Sequence, residues 1–88
     1  PRDRRLITLA SRPADRLQRV HYTLAQESAV AVQIVDVRGQ VVARLENAVR
    51  PAGTHTLDWD TAGLPSGVYL CRVASAAGVA TKKLVLLR

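Results

Sequence analysis

The chain has 88 residues and 9.6 kDa, with 48% hydrophobic and 23% charged positions and a formal charge of +6. That is one compact domain, not two, and a balance that excludes a disordered, collagen-like or coiled-coil chain. A domain this small buries only about 60% of the unfolded chain's surface, too little for both a core and a deep substrate pocket, so a self-contained enzyme is not expected. No window approaches a membrane span and no signal-peptide pattern leads the chain. It begins with Pro1 rather than Met and therefore reads as a piece of a longer protein.

Residues 1–15 mix Arg, Asp, Pro and Ala around the short apolar run Leu6-Ile7-Thr8-Leu9, and read as a linker with a candidate edge strand. After Asp15 the pattern becomes a two-residue alternation. Val20, Tyr22 and Leu24 alternate with His21 and Thr23, the signature of a half-buried strand. Gln26-Glu27-Ser28 turns the chain into a second strand carrying Val30, Val32 and Ile34.

Asp36-Val37-Arg38-Gly39 closes a hairpin, because Asp bonds its own downstream backbone and Gly tolerates φ > 0. The returning arm, Val41 to Leu45, has a three-residue spacing between Val42 and Leu45 that predicts a bulge. Residues 47–53, with Pro51 and Gly53, read as a polar turn; His55, Leu57 and Trp59 then form the next strand. Asp60 to Gly67 contains two Gly and one Pro and is a connecting loop anchored by Leu64. Val68 to Ala74 reads as a central strand with Tyr69, Cys71 and Val73 on one face. After the turn Ala76-Ala77-Gly78, residues 79–87 form the last strand. Six or seven short strands with no helical period predict an all-β, immunoglobulin-like antiparallel sandwich.

Charge gathers at the two ends: residues 1–19 carry +4, residues 82–88 carry +3, and the middle −1. Nucleic-acid binding would pair such charge with aromatic platforms, yet Tyr22, Trp59 and Tyr69 each sit in an apolar alternation, so no nucleic acid is expected as partner. A lone Cys71 forms no internal disulfide and reads as a buried hydrophobe; His21 and His55 lack partners at metal-ligand spacing, and no metal or cofactor is expected. Asp58 and Asp60 flank Trp59 on the face away from the core and take turn or surface roles rather than catalytic ones. Trp59 would be a sugar-stacking platform if exposed; parity with Leu57 favours burial opposite Tyr69.

The order Val30-x-Val32-x-Ile34-x-Asp36-x-x-Gly39, Ala52-Gly53-x-His55-x-Leu57-x-Trp59, Leu64-x-Ser66-Gly67-Val68-Tyr69 and closing Lys82-Lys83-Leu84-Val85 resembles the C-terminal sorting domain of type IX secretion cargo, a relative of the flagellar hook-capping Ig-like domain. The resemblance spans about residues 15–88, and only Ser11-Arg12-Pro13 stands where members usually carry Pro-Asn-Pro. It implies a linker over 1–15, a sorting domain over 16–88, and a parent protein, often a secreted hydrolase, carried through the periplasm and outer membrane to the cell surface or medium. Its implied partners are an outer-membrane translocon and a sortase-like peptidase that joins the parent to surface lipopolysaccharide. Lys82, Lys83, Leu84, Val85 and Arg88 are the candidate recognition residues. Asp36, Gly39, Gly53, Trp59, Gly67, Val68 and Tyr69 are the structural motif. Two other readings share the fold: a carbohydrate-binding module of a polysaccharide-degrading enzyme, which needs solvent-facing aromatics, and a flagellar hook-type scaffold module.

Overall fold

In the computed structural model, which describes residues 7–14 and 17–87 and the side chains of 17–87, the alternating segments form strands β1 (Ile7–Ala14), β2 (Leu17–Leu24), β3 (Ser28–Asp36), β4 (Val41–Arg50), β5 (Gly53–Asp60), β6 (Gly67–Ser75) and β7 (Gly78–Leu86). They build a three-stranded sheet, β1-β2-β5, and a four-stranded sheet, β4-β3-β6-β7, antiparallel throughout. This is the expected all-β sandwich. In the constant-type arrangement the fourth strand shares a sheet with the first, second and fifth; here β4 lies beside β3 instead.

The inward sets are the ones the alternation marked. Val20, Tyr22 and Leu24 of β2 and Trp59 of β5 face Val30, Val32 and Ile34 of β3, Tyr69, Cys71 and Val73 of β6, and Leu84 and Leu86 of β7. Leu64, the expected loop anchor, packs against this cluster with Ala43, Leu45 and Leu57. Apolar area removed from water is the main favourable term, and here it joins two sheets that could not each bury a face alone.

The 36–40 hairpin forms as its residues dictate. Asp36 Oδ1 accepts from the amides of Arg38 and Gln40 at 2.9 and 3.0 Å, and Gly39 sits at φ +87°. In β4 the register slips twice, leaving Leu45 and Val42 as extra residues, so the irregular spacing is two bulges rather than one. The polar stretch after Leu45 is strand, not turn: Glu46 to Arg50 continue the ladder against Val32 to Ser28, and the turn shrinks to Pro51 and Ala52. An edge strand needs few apolar side chains because its backbone, not its composition, makes the pairing. The β6–β7 turn is tied back to β3 by Ser28 Oγ, which accepts from the Ala76 amide at 3.1 Å.

Candidate recognition pole

Seven strands are an odd number, so the described chain runs in at one end of the sandwich, where Ile7 lies opposite Leu24, and leaves at the other, where Leu86 lies opposite Gly67. The long axis is 40 Å. The leaving end, called here the distal pole, also holds the 36–40 hairpin, the end of β5 and the 61–66 loop, because Asp36 pairs with Tyr69 and Tyr69 with Leu84. Asp36, Gly39, Trp59, Gly67, Val68, Tyr69, Leu84 and Val85, scattered over fifty residues, are thereby gathered at one end. Gly53 is the exception and opens β5 at the opposite pole, beside Leu24.

Tyr69 is the centre of this pole. Its ring is 5% exposed and meets Trp59 edge-on, centroids 5.3 Å apart at 68°. Its hydroxyl donates to the Pro65 carbonyl at 2.8 Å, locking the loop that carries the chain from the three-stranded to the four-stranded sheet. Such a return bond at a sheet crossover is the tyrosine corner of immunoglobulin-like sandwiches. Sequence reading placed the ring in the core but not the bond; a Pro four residues upstream of a strand-opening Tyr was the available signal. The loop is tightened again where the Leu64 amide donates to the Thr61 carbonyl at 3.2 Å and the Ala62 amide to Asp60 Oδ1 at 2.9 Å. A surface groove of about 280 Å³ opens between hairpin and loop, walled by Arg38, Val42, Leu64, Ser66 and Val68.

Among the described residues β7 is the last strand of its sheet, hydrogen-bonded to β6 on one side only, with β1 running close by at the sandwich edge. Its candidate recognition residues point in different directions, since successive strand positions alternate. Lys82 shares parity with buried Leu84 and Leu86 yet is itself exposed at the rim, whereas Lys83 and Val85 face outward and are exposed. Leu84 is 3% exposed and packs in the core, so what it offers a partner is backbone. Arg88 lies outside the described residues. The two lysines thus form a rim and a face, not one patch.

Elsewhere the residues that could carry chemistry are engaged or buried. Asp58 accepts from Arg19 Nε at 2.9 Å, which together with their attraction raises the Arg19 pKa, and Asp60 caps its own loop. His21 meets Thr56 at 3.2 Å and His55 meets the Pro51 carbonyl at 2.8 Å. Cys71 is buried, and desolvation pushes its thiol from 9.0 up to about 11, the opposite of a poised nucleophile. Desolvation also raises the Tyr22 pKa, with a smaller contribution from Glu46 opposed by the charge and side chain of Arg50; the Tyr22 hydroxyl and Arg50 Nε are buried beside each other, and neither makes a well-formed hydrogen bond among the described residues. All three aromatic rings, Tyr22, Trp59 and Tyr69, are in the core, so none is presented for stacking on a sugar.

The comparisons with known proteins agree with this architecture. No curated protein matches the chain. The model of the secretion system C-terminal sorting domain matches residues 13–87, which takes in every strand from β2 onward and the whole distal pole. The chain therefore belongs to the secretion system C-terminal sorting domain family, a non-catalytic module that serves as a C-terminal signal for type IX secretion.

Proposed function

We propose that this module directs a larger protein, a hydrolase, through the periplasm and across the outer membrane to the cell surface, and that the distal pole with β7 is what the translocon reads. The observation that carries the reading is the family match over residues 13–87 combined with the gathering of the family-like motifs at the pole opposite to where the chain enters. A cargo domain joined ahead of Ile7 would stand at the other end of a 40 Å body, leaving the distal pole accessible to a receptor.

β7 supplies two kinds of recognition. A strand with one hydrogen-bonded neighbour can accept a further strand along whatever part of its other side β1 leaves uncovered, and the charges of Lys82 at the rim and Lys83 on the outer face, with that of Arg88 in the sequence, select the partner and speed encounter more than they add affinity. A sortase-like peptidase then removes the module and joins the parent to lipopolysaccharide.

Deleting residues 82–88 is a poor test, because it removes Leu84 and Leu86 from the core. The better test is Lys82→Glu with Lys83→Glu in a reporter fused ahead of the chain in a type IX-competent host. Both side chains are exposed, so folding is retained while export falls. Undiminished export of this variant would count against β7 as the element that is read.

A further inference from the structure

The two outer faces of the sandwich are chemically unlike. On the three-stranded sheet the outward side chains satisfy one another: Arg19 with Asp58 at 2.9 Å, Thr23 with Thr54 at 2.9 Å, His21 with Thr56 at 3.2 Å. On the four-stranded sheet the registers set Val41, Val35, Leu70 and Lys83 in one lateral row and Arg44, Gln33, Arg72 and Thr81 in the next, with Val68 opposite Val85 toward the distal pole. The outward positions of this face combine an apolar strip, in which Val35 is already buried and Leu70 half-buried while Val41, Val68 and Val85 are exposed, with three cations and hold no carboxylate. Glu27 is in a turn, Asp36 is engaged by its own hairpin, Glu46 pairs with inward-facing Val32, and Asp58 and Asp60 belong to the other sheet. Arg44, Arg72 and Lys83 have no ion pair or hydrogen bond among the described residues.

A face of one charge sign repels itself, and no carboxylate among the described residues repays that. Exposed Val41, Val68 and Val85, 37–48% accessible, with arginines around them, match the apolar centre and Arg-enriched composition of protein interfaces. A nucleic acid or lipid surface is the weaker fit, because Tyr22, Trp59 and Tyr69 are all buried and none remains to stack on a base or sit among headgroups. We propose that the outward face of the four-stranded sheet is a docking surface for a partner protein presenting a small apolar ridge flanked by carboxylates. The inference rests on the export reading and names the surface by which a component of the secretion apparatus holds the module.

The test uses the reporter fusion of the whole chain. Arg44→Glu with Arg72→Glu lowers export about tenfold or more by turning complementarity into repulsion, while Thr54→Glu with Thr56→Glu on the opposite face leaves it near the unsubstituted level. A benzophenone side chain at position 72 forms adducts with an acidic segment of a secretion-apparatus protein, mapped by mass spectrometry; one at position 56 does not. Equal export of the Arg44/Arg72 variant and the unsubstituted fusion overturns the docking face alone. Adducts at position 72 made of lipid, polysaccharide or nucleic acid also overturn it. Failure of the unsubstituted fusion to leave the cell overturns the export reading with it. Should the doubly charge-reversed chain melt below the growth temperature, the crosslinks in the otherwise unsubstituted chain decide, and adducts at 56 rather than 72 refute the proposal.

Discussion

Tyr69 lets the stability of the distal pole be divided into a bond and a ring. Tyr69→Phe keeps the edge-on contact with Trp59 and removes only the hydroxyl bond to Pro65. Because Pro65 is exposed, water takes over its carbonyl, and the loss is that of an ordinary hydrogen bond, about 0.5–1.5 kcal/mol. Tyr69→Ala removes the ring as well, opening a cavity against Trp59 at about 3–5 kcal/mol. A domain of this size has a net stability of roughly 4–13 kcal/mol, so the second change approaches the whole. Each kcal/mol corresponds to about 4–8 °C in Tm for such a domain. Thermal melts by circular dichroism should therefore show Tyr69→Phe a few degrees below the unsubstituted chain and Tyr69→Ala lower by tens of degrees or unfolded. Equal Tm values for Tyr69→Phe and the unsubstituted chain would mean the corner bond contributes nothing. Equal losses for Phe and Ala would mean the bond, not the ring, holds the pole.

Three further outcomes follow from the same packing. Gly39→Ala places a Cβ in the left-handed region, where no neighbour lies within 4 Å, so backbone strain alone costs about 1–2 kcal/mol in denaturant titration, and Gly39→Asn costs less. Cys71 stays protonated in the folded chain to about 11 while the unfolded thiol ionises near 9.0; its contribution is intact below pH 9 and is lost as pH rises through 11. Unfolding titrations at pH 8 and pH 11 should show Cys71→Val losing less stability than the unsubstituted chain over that interval, and parallel losses would contradict the burial argument. The Tyr22 hydroxyl is buried beside Arg50 without a well-formed hydrogen bond, so Tyr22→Phe should change stability by less than about 1 kcal/mol in the same titration; a larger loss would show that the hydroxyl and Arg50 do bond.

What was legible in the sequence was whatever side-chain alternation encodes. Val20, Tyr22 and Leu24, or Tyr69, Cys71 and Val73, announce an inward face because a period of two puts them there. The Asp36 hairpin was equally plain, since its bonds are local. The length of β4 was not, because Glu46 to Arg50 are held by backbone pairing to β3 and their polar side chains look like turn. Nor was the partition of strands between sheets: the β3–β4 hairpin was readable, but the pairing of β5 with β2 rests on contacts more than twenty residues apart. For the candidate site, residue types at 82–85 were readable, but their division into rim, outer face and core follows only from β7's register against β6. The one-signed outer face was invisible for the same reason: Arg44, Arg72 and Lys83 come onto one face only when four strands, β4-β3-β6-β7, are laid side by side.

The central claim is that these 88 residues are an export signal for whatever precedes them. It is tested most directly by joining a soluble, periplasm-folding reporter to Pro1 and measuring the share found outside the outer membrane in a type IX-competent host and in the same host lacking its translocon. Reporter should reach the cell surface or the medium of the first and stay in the periplasm of the second; retention in both, or release from both alike, would refute the export role.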